Sequence, residues 1–399
     1  MTDTNSTNIK GSIAQIIETL DTGGAEHLAI KFANTLAQRG YKSHLYVTSH
    51  DGPLAAAIDE KVDVRIFGYR RASISNPVKF GLSIREGFSR FRSALRADHI
   101  ALCQTHLPGP NFWGLALQKR GVCQSVATIH NNQEFSYGSQ HSLRGRLRHQ
   151  AYRGIITNCA ATIAVSDQVR VSLIEELGLN ESQAKRFISI PNGVEIAASR
   201  DKTAQTAIRK SLGISDDRIL CLAVGRVCEQ KNFKALIPVA KILKNRAPKI
   251  LLVVAGDGPD FADLRSRIDE ANLADTIQTL GNVTNVPDIL AIADLFVMPS
   301  LWEGLPLALL EAMGSALPVV GYAVDGLSDV VLPGKTGFLV DVDDHQEMAA
   351  KIMALASDEE LSKRMGQAGK DLVRNQYSLA RVVDSLESLY QKILNWKSI

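Results

Sequence analysis

Short runs of β-branched and aliphatic residues alternate with longer amphipathic stretches through the first half of the chain. The stretch at 25–38 has apolar residues at helical spacing and is followed by Gly40, a residue type that commonly ends helices. This alternation predicts a parallel sheet with helices on both faces. The predicted strands lie at 12–17, 43–47, 62–67, 100–104, 125–129, 162–165 and 186–190.

The same alternation begins again in the second half. The turn residues Pro191, Asn192 and Gly193 end the last strand of the first half, and a polar stretch at 197–217 separates the two halves. We therefore predict an α/β fold with two doubly wound, Rossmann-like domains, 1–192 and 193–378, and an amphipathic helical tail beginning at 379. The further strands, each followed by a helical pattern, lie at 219–224, 250–255, 277–280, 295–298, 318–320 and 337–340.

Composition narrows the class of protein. The chain has 399 residues, of which 45% are hydrophobic, and this is long enough for two globular cores. Its five cysteines are irregularly spaced without a Cys-x-x-Cys pair, a pattern typical of reduced cytosolic thiols. No secretory signal and no apolar run of the roughly 18 residues needed to span a membrane is visible. We expect a cytoplasmic protein.

The charge is uneven along the chain. Residues 1–195 hold 22 basic and 16 acidic side chains, whereas the remainder holds 23 basic and 26 acidic ones. This bias suggests an anionic partner for the first half, such as a lipid head group or a phosphorylated acceptor, and is too weak to indicate nucleic acid. The stretch at 79–96, with four arginines among apolar residues, fits a helix lying on the inner face of an anionic membrane or an ordinary solvated helix face.

Two loops at the carboxyl ends of strands have the residues of a phosphate site. Gly23 and Gly24 follow the first strand and open a helix, whose free N–H groups can bind phosphate; a plain tight turn is the alternative. In the second half, Gly225 and Arg226 begin a loop that also carries Lys231, and paired cations can stabilise charge on a diphosphate. Neither loop has the Gly-x-Gly-x-x-Gly fingerprint, which disfavours an NAD dehydrogenase.

Two glutamates eight residues apart mark a third loop. Glu303 precedes Pro306, which suits the first turn of a helix, and Glu311 lies inside that helix. A carboxylate in an apolar helix needs hydrogen-bond partners, and sugar hydroxyls could supply them; an internal salt bridge is the alternative. The helix N-terminus near Leu305 and Leu307 offers a second phosphate position.

Two histidines end neighbouring strands of the first half. His130 follows the strand at 125–129, and His106 holds a similar position one strand earlier. The carboxyl ends of parallel strands are where ligands bind, so both are site candidates, although each could equally be a structural histidine. Asp341, Asp343 and Asp344 resemble a metal motif, but they precede a helical pattern and Asp343 or Asp344 suits a helix N-cap better.

Taken in order along the chain, four motifs resemble those of the group 1 (family 4) glycosyltransferases, which are retaining enzymes of the GT-B fold. The resemblance covers most of the chain and is strongest from 224 to 340. Ala316 and Asp329 depart from it, because the family usually has Gly and Glu there. The matching motifs are Gly23 to Glu26, Pro191 to Val194, Gly225-Arg226 with Lys231-Asn232, and the pair Glu303 and Glu311.

The resemblance implies a role for each motif. Arg226 and Lys231 would bind the donor diphosphate, Glu303 would contact hydroxyls of the donor sugar, and Glu311 would hold the ribose hydroxyls. His130 would lie near the donor sugar and the acceptor. The other candidates are Gly23, Gly24, Gly225, Gly304, Leu305, Pro306 and Leu307 on the donor side, and His106 and Asn131 on the acceptor side.

The resemblance also implies an organisation and a reaction. An acceptor-binding domain at 1–192, joined by the C-terminal helix at 379–399, would face a donor-binding domain at 193–378 across a cleft. A hexose or N-acetylhexosamine would pass from a nucleotide-diphosphate sugar, UDP first and GDP second, to a hydroxyl of a glycan or lipid-linked acceptor in bacterial cell-surface polysaccharide or glycolipid assembly. No metal or other cofactor is expected.

Two alternative functions remain at this point. A sugar-nucleotide epimerase of similar two-domain form would need no acceptor, and the spacing of Glu303 and Glu311 argues against it. A non-catalytic nucleotide-sugar-binding protein would be expected to have lost site residues, yet His130, Arg226 and Lys231 are present. The expected mechanism is front-face transfer with retention, because no carboxylate is evident beneath the anomeric carbon for a double displacement.

Overall fold

The structure of the protein, a computed structural model, describes residues 11–73, 75–131, 143–196, 201–283 and 285–395. Its chain divides into two compact units, Met1–Pro191 with Ala380–Ile399, and Asn192–Leu379. Each unit is built on one parallel sheet with helices packed against it, so the protein has the α/β fold of two Rossmann-like domains. The division falls within the turn Pro191-Asn192-Gly193.

The first unit has a sheet in the order β3-β2-β1-β4-β5-β6-β7, with every described pair parallel. Its strands are β1 (Ser12–Ile17), β2 (Lys42–Val47), β3 (Asp63–Ile66), β4 (Leu102–His106), β5 (Gln124–Ile129), β6 (Ala161–Ala164) and β7 (Phe187–Ser189). Its helices are α1 (Gly24–Gln38), α2 (Pro77–Ala97), α3 (Pro108–Lys119), α4 (Leu143–Asn158), α5 (Asp167–Glu176) and α6 (Glu181–Ala184).

The second unit has a sheet in the order β10-β9-β8-β11-β12-β13, again parallel. Its strands are β8 (Ile219–Val224), β9 (Ile250–Ala255), β10 (Ile277–Gly281), β11 (Leu295–Met298), β12 (Val319–Tyr322) and β13 (Gly337–Val340). Its helices are α7 (Lys202–Ser211), α8 (Leu236–Arg246), α9 (Phe261–Glu270), α10 (Val286–Ile292), α11 (Leu307–Gly314), α12 (His345–Ser357) and α13 (Glu359–Gln376).

Burial explains why the strands could be recognised from the sequence. Strands of a parallel sheet that is covered on both faces are apolar along their whole length. β9 is buried at all six positions, and Leu252 and Val254 pack there against Leu236 and Val239 of the neighbouring helix. All thirteen predicted strands are present, and their ends differ from the prediction by no more than two residues.

One prediction about connections was wrong, and one helix was not predicted. The strand predicted at 318–320, β12, is followed by turns and not by a helix before β13 begins at Gly337. The stretch 197–217 contains helix α7, although none of its residues is buried. The Arg209 guanidinium holds α7 in place by donating to the carbonyls of Arg218 at 2.8 Å and Ile292 at 2.7 Å.

The C-terminal helix α14 (Leu379–Leu394) belongs, from Ala380 onward, to the first unit. Arg39 at the end of α1 donates to the carbonyl of Ala380 at 2.9 Å and forms ion pairs with Asp384 and Glu387. Tyr390 of α14 is fully buried. The helix therefore completes the first unit with both an exposed ionic contact and a buried side chain. Trp396, predicted as part of this helix, lies outside the described residues.

Candidate active site

The loop after β8 folds tightly around a glycine. Gly225 has a φ of 152°, a conformation that favours glycine. A Cβ atom at this position would lie 3.1 Å from Cε of Lys231, so the absence of a side chain lets the lysine stem pass close over the backbone. Arg226 is exposed and has no hydrogen-bond or ion-pair partner among the described residues. The loop thus holds one cation in place and leaves the other in solvent.

Lys231 forms an ion pair with Glu303 of the loop after β11. The Nζ atom lies 2.5 Å from Oε1, and only 15% of the lysine side chain and 6% of the glutamate side chain are exposed. Such a pair is stable away from water only when its remaining oxygens are also hydrogen-bonded. Gln230 meets this need, since its Nε2 atom lies 3.3 Å from Oε2 of Glu303 and donates to the Trp302 carbonyl at 3.0 Å.

The backbone around Glu303 is held from two other directions. Asn192 donates through Nδ2 to the Leu305 carbonyl at 2.6 Å. Gly326, with a φ of 78°, lies so close that a Cβ there would be 2.5 Å from the Gly304 oxygen. Neither Gln230, Asn192 nor Gly326 was assigned a site role from the sequence. The available signals were an asparagine in a turn and an Asp-Gly pair, which is typical of turns.

Helix α11 begins directly after this loop. Pro306 occupies the N-cap position, one residue before the helix, and Leu307 is the first helical residue. Leu305 and Pro306 are buried, and Glu311 is partly buried in the second turn. The predicted donor-side residues from Glu303 to Glu311 therefore form one continuous loop and helix start, at the carboxyl end of a central strand where ligands of α/β proteins bind.

The predicted phosphate turn of the first unit has an acidic neighbour. Gly23 is the N-cap of α1 and has no side chain that could cap the helix. A Cβ on Gly23 would lie 2.2 Å from Oε2 of Glu26, so the glutamate carboxylate folds back beside the glycine. A carboxylate at a helix N-terminus is itself favourable. A phosphate bound at Gly23 and Gly24 would have to displace it.

The two candidate histidines contact each other. His106 is the last residue of β4, His130 directly follows β5, and their Nδ1 and Nε2 atoms lie 3.2 Å apart. Burial lowers the pKa of His130 to about 4. Burial and the adjacent His130 lower the pKa of His106 well below its ordinary value. Both rings are therefore neutral at pH 7. Asn131 lies next to His130 and is partly buried.

Several buried polar residues adjoin this histidine pair. Gln15 of β1 contacts His106 at 2.9 Å through Oε1, and Gln104 and Tyr390 contact Gln15 in turn. All three are at most 1% exposed. The sequence prediction missed them. The signal that could have found them is a glutamine in the middle of two apolar strands, because buried polar side chains occur only where they have partners.

The other candidate features have plainer roles. Asp344 is the N-cap of α12 and accepts from the Glu347 amide at 2.9 Å, which confirms the predicted N-cap.

In the parts of the chain that the structure describes, no group of three or more His, Cys, Asp or Glu side chains could hold a metal ion. No helix built from those residues has both the length and the apolar character needed to cross a bilayer.

Helix α2, the basic amphipathic stretch, packs on its own sheet. Phe91 is buried in the core beside Trp113, and Phe88 packs against the same cluster. Two of its large apolar side chains lie in solvent, Val78 at 73% and Leu82 at 60% exposure, both in the first turns. The solvated helix face therefore describes most of α2, and an apolar, basic surface remains at its N-terminal end.

Comparison with known families matches both halves of the chain. Residues 204–372 match the family described as "Glycosyl transferases group 1", and residues 22–198 match the family described as "Glycosyltransferase Family 4". Together the two matches contain every site residue that was predicted from the sequence.

Individual proteins resemble the chain over nearly its whole length. It is 26% identical to the N-acetyl-alpha-D-glucosaminyl L-malate synthase of Bacillus anthracis, over 93% of this chain and 94% of that protein. It is 25% identical to the UDP-Gal:alpha-D-GlcNAc-diphosphoundecaprenol alpha-1,3-galactosyltransferase of Escherichia coli, over 96% and 98%. Among solved structures, HepE of Anabaena in complex with UDP and glucose superposes with a TM-score of 0.81 at 18% identity, covering 95% and 99%.

Proposed function

Because the chain belongs to the group 1 family 4 glycosyltransferases and has their GT-B fold of two Rossmann-like domains, we propose that it is a retaining, metal-independent transferase. Its donor is a nucleotide-diphosphate sugar, with UDP favoured over GDP, and it transfers a hexose or N-acetylhexosamine to an acceptor hydroxyl. The observation that carries this proposal is the buried pair of Lys231 and Glu303 beside exposed Arg226.

The pair can bind two parts of one donor. A lysine ammonium has three N–H donors, so Lys231 can keep its bond to Glu303 and still donate to a phosphate oxygen. Arg226 can form a second, two-pronged contact with the diphosphate. These cations supply the positive charge that a departing diphosphate needs, which is the reason for proposing a reaction without metal. Glu303 can accept hydrogen bonds from sugar hydroxyls, and Glu311 from ribose hydroxyls.

The same contacts favour front-face transfer. Both Glu303 oxygens are already engaged, Oε1 by Lys231 and Oε2 by Gln230, and a carboxylate held in this way is a poor nucleophile. The bond from the anomeric carbon to the diphosphate oxygen would break while the acceptor oxygen bonds to the same face. The acceptor proton would pass to the departing phosphate oxygen, which balances the step and preserves the anomeric configuration.

The first unit would contribute His130 and the acceptor side. A neutral imidazole can exchange hydrogen bonds with sugar hydroxyls without adding charge near the reacting carbon. His106 and Asn131 are the neighbouring acceptor-side candidates. The acceptor is proposed to be a glycan or lipid-linked glycan of bacterial cell-surface polysaccharide or glycolipid assembly. The name of the Escherichia coli relative, a transferase to a diphosphoundecaprenol-linked sugar, supports this class.

A lipid-linked acceptor would bring the protein, located in the cytoplasm, to the inner face of the membrane. The N-terminal end of α2 offers exposed Val78 and Leu82 next to the exposed cations Lys79 and Arg85. This combination suits an anionic lipid surface. In co-sedimentation with vesicles containing anionic lipid, Lys79→Glu with Arg85→Glu should reduce binding, whereas Lys241→Glu on α8 should not. Equal, negligible binding of all three proteins would remove this contact.

A donor screen tests the function itself. UDP-, GDP-, ADP- and TDP-sugars are added to the wild type and to Glu311→Ala, and thermal stability is measured. One donor should raise the melting temperature of the wild type and not of the variant. NMR of the product should then show the anomeric configuration of the donor, and a chelator should leave the rate unchanged. If no nucleotide sugar stabilises the wild type, the proposal fails; an inverted product would refute retention.

A further inference from the structure

One glutamine joins the loop after β8 to the loop after β11. The Gln230 side chain donates through Nε2 to the Trp302 carbonyl at 3.0 Å, and the same nitrogen lies 3.3 Å from Oε2 of Glu303. The backbone carbonyl of Gln230 accepts from the Leu301 amide at 2.9 Å. A single residue of the first loop therefore holds three consecutive residues of the second.

The two neighbours of the Gln230 amide decide which way it faces. A backbone carbonyl and an ionised carboxylate only accept hydrogen bonds, whereas a carboxamide has two N–H donors on its nitrogen and none on its oxygen. The nitrogen must therefore face both neighbours, with one N–H for the Trp302 carbonyl and one for Glu303. The reverse orientation would place the amide oxygen against two other oxygens and lose both bonds. Both donors of Gln230 are thus in use.

The Glu303 carboxylate has one partner for each of its oxygens among the residues that the structure describes. Lys231 holds Oε1 with its Nζ atom at 2.5 Å, and Gln230 holds Oε2. A contact at Oε1 alone would leave the carboxylate able to rotate about its last side-chain bond, a torsion with only broad preferences. The contact at Oε2 fixes the plane. Each oxygen keeps a second lone pair, in a direction set by the protein, for a ligand hydroxyl.

Burial makes the second contact important. Only 6% of the Glu303 side chain is exposed, so water has little access to replace a lost partner. A buried oxygen without a partner costs free energy, which the carboxylate would reduce by turning toward another donor. A glutamine that only linked the two loops could do so through the Trp302 carbonyl alone. The contact with Glu303 is the one that a role in sugar transfer requires.

We infer that Gln230 is a positioning residue, whose amide fixes the plane of the Glu303 carboxylate so that the carboxylate meets the hydroxyls of the donor sugar in one orientation. Gln230 acts through Glu303 in this role and touches no substrate. The inference rests on the proposed role of Glu303 and deepens it, because recognition of the sugar then depends on a residue of the loop after β8. Binding of the diphosphate by Arg226 and Lys231 does not need Gln230.

Binding measurements separate the sugar from the diphosphate. The probes are the nucleotide sugar with the largest shift in the screen of UDP-, GDP-, ADP- and TDP-sugars, and the matching nucleoside diphosphate alone. Gln230→Met keeps the length of the side chain and removes both N–H donors. Its affinity for the nucleotide sugar, measured by calorimetric titration, should fall about tenfold, whereas its affinity for the nucleoside diphosphate should not change.

Kinetics and a matched control complete this test. The kcat of Gln230→Met should fall about tenfold or more, since a misdirected carboxylate no longer orients the sugar for transfer. The control is Gln278→Met, which removes the 3.0 Å bond from Gln278 of β10 to the Leu212 carbonyl, away from both loops. This variant should keep both affinities and the wild-type kcat.

A second variant, Gln230→Glu, isolates the contact with Glu303 from the bond to the neighbouring backbone carbonyl. Two adjacent carboxylates do not readily ionise together, so one should take up a proton as the pH falls. Lys231 remains on Oε1 and keeps Glu303 the ionised member of the pair. The protonated side chain at position 230 has one O–H donor, which should go to Glu303 because a carboxylate is the stronger acceptor.

The pH dependence of this variant is the measurement. The ratio of its kcat/KM to that of the wild type should rise between about pH 8 and about pH 5.5, because protonation restores the donor to Oε2. The same ratio for Gln230→Met, which cannot regain a donor, should stay low and constant. Dividing by the wild-type value removes any acid sensitivity that the proteins share.

Three results would overturn the inference. They are unchanged affinity and kcat in folded Gln230→Met, equal losses of affinity for the nucleotide sugar and the nucleoside diphosphate, and no recovery of Gln230→Glu in acid. A wild type that binds no nucleotide sugar would refute the proposed function instead. Crystal structures of the wild type and Gln230→Met would still decide the positioning step, because the Glu303 carboxylate should turn in the variant, and an unmoved carboxylate would refute it.

Discussion

The two units place their candidate site residues at the carboxyl ends of strands in similar sheets, but they use opposite chemistry. The second unit presents charge, with the exposed Arg226 and the pair of Lys231 and Glu303. The first unit presents two neutral histidines backed by buried amides and a phenol. Charged groups suit a diphosphate leaving group, whereas neutral groups can orient hydroxyls without disturbing developing charge. The same fold can thus serve either task, and the side chains on its loops decide which.

Substitutions among the charged site residues of the second unit should have the largest effect on the rate of transfer. Lys231→Ala removes the cation that touches Glu303, and loss of one preorganised charge at a leaving group lowers kcat by about a hundredfold to a thousandfold. Steady-state kinetics with the donor identified in the screen would measure it. Lys234→Ala is the control, because Lys234 lies three residues further on and pairs with Asp263 at 2.8 Å. Equal losses in both variants would mean that the loop and not the Lys231 charge is responsible.

Arg226 allows donor binding by the second unit to be tested separately from the Lys231–Glu303 pair. Its side chain is exposed and unpaired among the described residues, so Arg226→Ala should leave the melting temperature unchanged. The affinity for the donor should fall about tenfold, the scale of one charge-assisted phosphate contact. Calorimetric titration of wild type and variant measures this. Arg246→Ala, an exposed arginine at the end of α8, should leave donor affinity unchanged, and unchanged affinity in Arg226→Ala would exclude the phosphate role.

The first unit, with its two neutral histidines, should lose more stability at acid pH than the second unit. The pKa values of His106 and His130 are lowered by burial, so between pH 6.5 and about 4 the unfolded chain binds protons that the folded unit does not. Stability is fully present above pH 6.5 and falls below it, by about 1–3 kcal/mol for both histidines at pH 5.5. Hydrogen exchange of β4 and β5, compared with β8 and β9, should report this loss in the first unit. His130→Gln should reduce it, and equal losses in both units would contradict it.

The smallest expected effect concerns Ala316 in the second unit. Ala316 has a φ of 63°, a left-handed backbone conformation that favours glycine. A left-handed conformation costs an L-residue about 1–2 kcal/mol, so Ala316→Gly should stabilise the protein by about 0.5–1 kcal/mol after the greater chain entropy of glycine is counted. Urea unfolding would measure the gain. Ala271→Gly, at a helix end with a φ of −82°, should instead destabilise.

The comparison also shows which parts of the site could be predicted. Gly225, Arg226, Lys231, Glu303 and Glu311 of the second unit were all singled out from the sequence, because they lie in two short motifs with strong local patterns, and their roles remain predictions. Among the neutral polar site residues of the first unit, only His106, His130 and Asn131 were singled out from the sequence. Gln15, Gln104 and Tyr390 belong to three separate segments, and nothing in their neighbours in sequence indicates that they meet. Helix α7 was not predicted because its stretch is mostly polar, and none of its residues is buried.

The sequence alone determined the period of each segment, the turns that end it, and hence the thirteen strands and the residues at their carboxyl ends. These are local properties, set by which faces of a strand or helix are apolar and where glycine and proline interrupt them. The tertiary structure decided which of those residues touch. Lys231 meets Glu303 across 72 residues because β8 lies beside β11, and Tyr390 meets Gln104 across 286 because α14 packs on the first unit. Such contacts depend on strand order and packing, which no local pattern contains.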